Sequence, residues 1–330
     1  MTALGRSSGI GALCVLAASV LWGTTGTAAT FAPQVGPLAI GAAAMGLGGL
    51  LQALIAAPQI ARNTARLREQ RGTVLLGATS VAVYPLAFYS SMHLAGVAVG
   101  TVVSIGTAPL ASALIERVSD GRRLTRRWML AATLGLLGTL MLCVAEATHA
   151  TEVVGASAAR TLLGIGLGVV AAATYALYSW AAHRLISRRL PSRAAMGAVF
   201  GIGGLLLLPV LAVTGAPLVV SWSNAAVGAY MALVPMFAGY VLFGWGLAHV
   251  PASTATTLSL LEPVVAAVLA VLVVGEHLPT TGWAGITLVI TCLAVLTTPA
   301  PTRRSPTRRR NPVDHDSDRP IKAASTAQNQ

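Results

Sequence analysis

Charged residues are scarce in this 330-residue chain, where Asp, Glu, Lys and Arg together make up only 10% of the sequence. A soluble domain carries charges at about a quarter of its positions, so the composition excludes a water-soluble globular protein. The hydrophobic share is 55%, and the mean hydropathy is +0.73. Apolar runs long enough for a membrane span of about 20 residues recur along the chain. They are continuously apolar rather than alternating, which disfavours a membrane β-barrel.

Cysteine is also rare: Cys14, Cys143 and Cys292 are three in number, and each lies inside an apolar run. This spacing predicts neither a disulfide framework nor a metal site. The apolar runs lack a close group of His, Asp and Glu, and the chain has no phosphate-binding glycine loop. The sequence therefore predicts no cofactor and argues against an enzyme. A membrane-embedded enzyme, or an assembly factor without transport activity, stays the alternative to a transporter.

Basic residues outnumber acidic residues by 22 to 10, and their placement indicates topology rather than nucleic-acid binding. If the N-terminus lies inside, 21 of them fall on that same side of the membrane and Arg160 alone falls on the other. Cytoplasmic loops of membrane proteins carry the excess of Lys and Arg. We therefore predict a multi-pass protein of the plasma membrane with both termini cytoplasmic and with no nucleic-acid partner.

Ten apolar runs predict an all-α integral membrane protein with ten transmembrane helices. The predicted spans cover about residues 10–31, 37–57, 73–93, 95–115, 128–145, 161–182, 194–214, 224–247, 252–274 and 282–298. Residues 299–330 are polar and rich in Pro, Arg, Ser and Thr. That composition is typical of a disordered basic cytoplasmic tail, which could contact anionic membrane lipids.

The two halves of the chain resemble each other at a shift of about 155 residues. Gly46–Leu51 recurs as Gly201–Leu206, and Trp128 falls on Trp283. We therefore divide the chain into a five-helix repeat at residues 1–150, a second at 151–298, and the tail at 299–330. Because five is an odd number, the second repeat must cross the membrane in the opposite sense, so the repeats are inverted. Such carriers bind substrate near the bilayer midplane and rock to expose it alternately.

Glu262 is the one charged residue that lies deep inside an apolar run, and Pro263 follows it. An isolated carboxyl group in a membrane helix is costly and calls for a partner, a water-filled cavity or a function. One reading makes Glu262 the proton-coupling group or the partner of a substrate ammonium. The other makes it a protonated carboxyl group bonded to backbone that Pro263 frees. The sequence leaves both readings open.

The motif around Glu262 resembles a known family. Leu261-Glu262-Pro263, followed by Gly275-Glu276 and Trp283, is similar to the EamA-type family of the drug/metabolite transporter superfamily. The first half departs from that pattern, because Ser119-Asp120-Gly121 stands where a Gly-Glu pair is common. The resemblance implies a ten-helix secondary transporter that exports a small metabolite, such as an amino acid or a drug-like compound, by alternating access. It leaves the substrate, a proton as coupling ion and the oligomeric state open.

Further candidate residues lie inside the spans. Pro109 matches Pro263 in the repeat at a shift of 154, which suggests paired kinks that shape a cavity, although membrane helices also tolerate isolated prolines. Ser259 could line the path or could simply bond the preceding helical turn.

Aromatic residues give two kinds of candidate. Aromatic walls suit cationic or amphipathic substrates, whereas Trp and Tyr near span ends anchor helices at the membrane surface. We expect the deeper residues to line a binding site, namely Trp22, Tyr84, Tyr175 and Tyr240. We interpret those near span ends as surface anchors, namely Trp128, Trp180, Trp245 and Trp283.

Overall fold

The computed structural model describes residues 3–149, 158–275 and 277–298. The predicted tail at 299–330, the predicted boundary between residues 150 and 151, and Glu276 of the family motif lie outside these ranges.

Within the described residues, ten helical spans are long and apolar enough to cross a membrane, which confirms the predicted fold class. We number them 1 to 10 in chain order. They are Gly9–Ala29, Pro37–Arg62, Arg71–Ala95, Val99–Asp120, Arg126–Ala145, Ala158–Ser187, Ser192–Thr214, Trp222–Leu247, Ala252–Val273 and Thr280–Thr297. The helix of span 1 begins earlier, at Ala3, and a short helix at Thr64–Glu69 joins spans 2 and 3.

Four of the described spans are interrupted rather than continuous. Span 1 breaks at Thr24, between the helices Ala3–Gly23 and Thr25–Ala29. Span 4 contains a π-helical turn at Val102–Gly106 before its last helix, and span 8 contains one at Ala232–Ala238. Span 9 consists of a helix at Ala252–Leu258, a second helix at Leu261–Leu269 and a π-helical turn. Each interruption frees backbone groups that neighbouring side chains can bind inside the protein.

The spans pack in pairs that join the two halves of the chain. Spans 2 and 7 contact each other most extensively, spans 5 and 10 also share a long contact, and spans 4 and 9 meet as well. Span 1 packs on span 8, and span 3 packs on span 6. A two-fold axis relating spans 1–5 to spans 6–10 would generate this pattern, because it maps the last two pairs onto each other. The core is therefore formed between the halves rather than within them.

Repeated glycines allow spans 2 and 7 to approach closely. A Cβ atom at Gly204 would lie 2.6 Å from the carbonyl oxygen of Gly46, and one at Gly201 would lie 2.5 Å from Cβ of Ala53. A Cβ at Gly49 would collide with the carbonyl oxygen of Phe200. Small residues at helix crossings increase van der Waals contact in membrane proteins. The glycine block that reveals the repeat in the sequence is thus the contact surface between its two copies.

One end of the bundle, which we call the basic end, gathers the arginine-rich loops. Arg66 donates to the carbonyl oxygen of Arg189, and Arg188 donates to Gln70, so the loop between spans 2 and 3 meets the loop between spans 6 and 7. Arg184 pairs with Asp120 at 2.7 Å, which adds the end of span 4.

A buried carboxylate joins three spans at the basic end. Glu116, at the end of span 4, is 2% exposed and accepts hydrogen bonds from the backbone N–H and the hydroxyl of Ser253, at 3.1 and 2.7 Å. Ser253 lies in the first turn of span 9, where a negative charge is favourable. Trp128 donates to the carbonyl oxygen of the same serine. Spans 4, 5 and 9 are thereby joined at one point.

The prediction of surface anchors is wrong for two of the four tryptophans. Trp128 and Trp180 are each 8% exposed and lie within the protein, where Trp180 donates to the carboxylate of Asp120 and carries the guanidinium of Arg184 over its ring. Both indoles have polar partners on neighbouring spans, which a position near a span end does not reveal. Trp245 and Trp283, by contrast, are 49% and 53% exposed.

We predict that Gly204→Leu destabilises the fold, because the new side chain meets backbone atoms of span 2 that cannot move aside. Overpacking of this kind costs about 1–3 kcal/mol. Thermal unfolding in detergent measures the effect, with Gly166→Leu as the matched control, since Gly166 has no heavy atom within 4 Å of an added Cβ. Equal melting temperatures for the two variants would contradict the close contact between spans 2 and 7.

Candidate functional site

A central cavity lies between the two halves. Spans 1, 2 and 3 line it from the first half, and spans 6, 8 and 9 from the second. Its empty volume is about 440 Å³, of which about 30 Å³ is open to the centre of a water-sized molecule. Binding pockets for small molecules occupy about 300–1,000 Å³. With only about 30 Å³ open to a water-sized molecule, the central cavity is smaller than such a pocket in this conformation, because its side chains pack closely.

The four aromatic residues singled out in the sequence all line this cavity: Trp22, Tyr84, Tyr175 and Tyr240. The ring of Trp22 lies 4.8 Å from that of Tyr240 and 6.5 Å from that of Tyr175, and Tyr84 lies 5.5 Å from Tyr175. They come from spans 1, 3, 6 and 8, so the chain brings together side chains that are more than 200 residues apart. They form one continuous aromatic wall.

Hydrogen bonds fix this wall in place. The hydroxyl of Tyr175 donates to Oγ of Ser259 at 2.8 Å, and Ser259 in turn donates to the carbonyl oxygen of Thr256. The indole N–H of Trp22 donates to the carbonyl oxygen of Pro235, which the π-helical turn of span 8 carries. The aromatic rings are thus held by groups at the interrupted parts of spans 8 and 9.

The hydroxyl of Tyr240 is likewise held, because it lies 2.7 Å from that of Tyr178. Tyr178 was not among the four residues, although it follows Tyr175 by three positions and therefore shares its helix face. From that spacing the sequence could have predicted that Tyr178 lies beside the aromatic wall and supports it.

Glu262 also lines the central cavity and is the only charged residue among the described residues that do so. It stands in the first turn of the helix Leu261–Leu269, where the positive end of the helix dipole favours a carboxylate. Its side chain is half-buried, and it forms no ion pair or hydrogen bond with any residue of the described ranges. The carboxyl group is therefore available to a ligand.

Neither predicted proline lines the cavity. Pro109 and Pro263 are buried in the first turn of the helices Ala108–Asp120 and Leu261–Leu269, each directly after an interruption of the span. Proline is tolerated in the first turn because its missing N–H has no helical partner there. In span 9 this arrangement places Glu262 at a helix start. Ser259 is also fully buried, and it contacts the site through Tyr175 rather than by facing the cavity.

Several lining residues gave no signal in the sequence. Gly41, Met45 and Met236 belong to apolar stretches in which many positions look alike. Gly41 packs directly against Tyr89, since an added Cβ would lie 2.8 Å from that ring. Such positions depend on how the spans pack together, which residue types alone do not specify.

The residues of the central cavity are suited to an amphipathic cation. One carboxyl group supplies the negative charge, and the faces of Trp22 and Tyr175 attract positive groups. Tyr89 adds a hydroxyl group to the lining that can donate to an acceptor on the ligand, whereas the hydroxyl of Thr25 donates to the carbonyl oxygen of Trp22 and is left as an acceptor. No Lys, Arg or His occurs among the described lining residues, so an isolated anion has no partner of opposite charge.

Comparison with known proteins finds relatives that match most of the chain. The chain is 34% identical to Uncharacterized transporter YwfM of Bacillus subtilis over 289 residues, which cover 86% of this chain and 92% of that protein. It is 26% identical to Threonine/homoserine exporter RhtA of Escherichia coli, with 81% and 83% covered. It is 25% identical to "Probable terminal-alkyne amino-acid exporter" of Streptantibioticus cattleyicolor, with 78% and 86% covered.

A solved crystal structure shares the fold, with a TM-score of 0.67 and 22% identity over 86% of this chain and 95% of that one. The model of the EamA-like transporter family matches residues 9–144 and again residues 162–298. The relatives are transporters rather than enzymes. The chain is thus a multi-pass membrane protein that belongs to the EamA-like transporter family.

Proposed function

We propose that the protein is a secondary active transporter of the plasma membrane that exports a small metabolite with an ammonium group, such as an amino acid. The observation that carries this proposal is the unpaired carboxyl group of Glu262 inside an aromatic cavity between the two halves. The relatives named as exporters of threonine, homoserine and a terminal-alkyne amino acid support the substrate class.

Glu262 gives the transporter a simple means of proton coupling. A carboxyl group can carry a proton or pair with a substrate ammonium, and either partner excludes the other. Substrate leaves when a proton takes its place, and the proton leaves when the next substrate arrives. Proton entry would then drive substrate export. Glu262 lies about ten residues into span 9, roughly 15 Å from its start, so the exchange would take place near the bilayer midplane.

The pairing of the spans supports a mechanism of alternating access. The contacts between spans 1 and 8 and between spans 3 and 6 are those expected of inverted repeats, in which the two halves exchange roles. By the positive-inside rule the basic end faces the cytoplasm, as do both termini. The seal of Glu116, Ser253 and Trp128 then closes the cytoplasmic side in this conformation. Loading from the cytoplasm requires this seal to open.

An assembly factor of the same fold would have no use for a charged, aromatic cavity and would show no saturable flux. Purified protein in proteoliposomes distinguishes the two functions. We expect saturable uptake of labelled amino acids that depends on an imposed proton gradient.

We predict that Glu262→Gln abolishes proton-driven transport, because the amide cannot release a proton or pair with an ammonium group. Gradient-driven flux in proteoliposomes should fall by at least about a hundredfold, since the lost charge contact is worth about 3 kcal/mol. The control is Glu69→Gln, in the exposed loop helix at the basic end. A variant at Glu262 that keeps its flux and its dependence on pH would refute the coupling role.

We predict that Gly239→Ala weakens substrate binding. The new methyl group would lie 2.7 Å from the indole nitrogen of Trp22 and push that ring into the cavity. The KM for transport should rise about tenfold, while Gly26→Ala, where an added Cβ meets nothing within 4 Å, should leave it unchanged. Identical KM values for both variants would show that the position of the Trp22 ring does not affect substrate binding.

We predict that Glu116→Ala opens the basic end. The charged hydrogen bonds to Ser253 contribute about 1.5–3 kcal/mol, so their loss should increase the open population about tenfold or more. The readout is the rate at which a membrane-impermeant maleimide, added on the basic side, labels Thr256→Cys, a position that is fully buried.

The labelling is done in a background without Cys14, Cys143 and Cys292, and Glu69→Ala serves as the control. An unchanged labelling rate in the Glu116 variant would mean that these bonds do not hold the seal closed.

A further inference from the structure

A second cavity lies on the side of the bundle, in the half nearer the basic end. We call it the lateral cavity. Spans 2, 7 and 8 line it, with Gln52 and Ile55 on span 2, Arg193 on span 7, and Phe237 and Trp245 on span 8. The centre of a water-sized molecule can reach about 180 Å³ of it, several times more than in the central cavity. Its lining shares no residue with that cavity.

Gln52 is the unusual residue of this cavity. Its side chain is 96% buried, yet neither its amide nitrogen nor its amide oxygen has a hydrogen-bond partner among the described residues. An unsatisfied buried polar group costs about 1–3 kcal/mol, and an amide carries both a donor and an acceptor. The cost is reduced if a ligand in the lateral cavity accepts hydrogen bonds from the amide N–H groups. The unsatisfied amide of Gln52, together with the cavity beside it, therefore indicates that a molecule binds here.

The lateral cavity also has a gradient of polarity along the bundle. Arg193 is exposed in the first turn of span 7, at the basic end, and no acidic residue occurs among the described lining residues. Trp245 is half-exposed near the end of span 8, the position at which indoles mark the membrane surface. Ile55 and Val241 are partly exposed and apolar. The opening thus offers a positive charge at headgroup level, an amide below it and an apolar exit toward the lipid chains.

We propose that the lateral cavity binds one acidic phospholipid of the cytoplasmic leaflet. Arg193 holds the phosphate, the amide of Gln52 binds a glycerol-ester carbonyl with its N–H groups, and an acyl chain follows Ile55 and Phe237 out of the bundle. Basic cavities between membrane helices on the cytoplasmic side suit such headgroups. The shared chemistry is a phosphate monoanion, and the lipid is favoured over free phosphate because the apolar part of the cavity faces the bilayer.

This lipid would lie next to the transport machinery. Phe237 and Met236 are adjacent in the π-helical turn of span 8; Phe237 lines the lateral cavity and Met236 lines the central cavity. The lateral cavity also borders the glycine contact between spans 2 and 7, because an added Cβ at Gly197 would lie 3.2 Å from the carbonyl oxygen of Gln52. The bound lipid would therefore stabilise the conformation described here.

Native mass spectrometry of the full-length protein, freed of lipid in detergent, tests the proposal. Phosphatidylglycerol and phosphatidylcholine with identical acyl chains are titrated separately, and inorganic phosphate is the third ligand. We expect one phosphatidylglycerol to bind at least about fivefold more tightly than phosphatidylcholine, as one Arg contact provides. Arg193→Gln should remove that preference, whereas Arg71→Gln, an exposed arginine at the start of span 3, should keep it.

The Gln52→Leu variant distinguishes specific lipid binding in the lateral cavity from a general attraction of the lipid to positive charge. The variant keeps every arginine and replaces an unsatisfied amide by an apolar group, so it should fold and melt at least as high as the wild type without lipid. Phosphatidylglycerol should raise the melting temperature of the wild type and raise that of the variant much less. Equal binding of both lipids, equal losses for the two arginine variants, an undiminished shift in Gln52→Leu, or displacement of the lipid by millimolar phosphate would each overturn the proposal.

Discussion

A single carboxyl group in the middle of an apolar bundle is the constraint on which the structure depends. Placing an acidic side chain at the centre of a membrane helix costs about 3 kcal/mol, and the cost is lowest where the side chain meets a polar cavity or a partner. The protein meets this constraint by interrupting span 9, so that Glu262 stands at a helix start and lines a cavity between the two halves. The aromatic wall and the hydroxyl groups around it complete the site that we propose for a cationic ligand.

The same interruption links the site to the closure of the basic end. Span 9 carries Ser253 in its first turn, where Glu116 and Trp128 bind it, and Ser259 in its interrupted middle, where Tyr175 binds it. A shift of this one span would change the seal and the cavity together. Spans 2 and 7 pack closely against each other through their glycines, and we propose that they stay together when span 9 shifts. In a carrier, one mobile and one fixed element provide the two states that alternating access requires.

Much of this architecture was predictable because membrane spans and positive loops have strong physical signals. The ten spans, and the aromatic residues and carboxylate that meet in the cavity, follow from apolar length, depth within a span and the cost of a lone charge. Glu116 was missed because it ends an apolar run beside Arg117, so its position resembles that of an ordinary interfacial acid. Its burial depends on span 9 packing over it.

The unsatisfied amide of Gln52 could not be predicted either, because a glutamine inside a span usually finds a partner on a neighbouring helix. For the two prolines, the sequence indicated the position but not the orientation. Their positions indicated interruptions in spans 4 and 9, but whether they faced the cavity depended on the rotation of each helix about its axis. That rotation follows from contacts between spans that lie far apart in the sequence.

The central claim is that Glu262 recognises an ammonium group, and inhibition by paired ligands tests it most directly. The measurement is the inhibition of flux in proteoliposomes by an amino acid and by its 2-hydroxy analogue, in which a hydroxyl group replaces the ammonium group. We expect the hydroxy acid to inhibit the wild type at least about tenfold more weakly, because it lacks the charge that pairs with the carboxylate. The difference should vanish in Glu262→Gln. Equal inhibition of the wild type by both compounds would contradict the account.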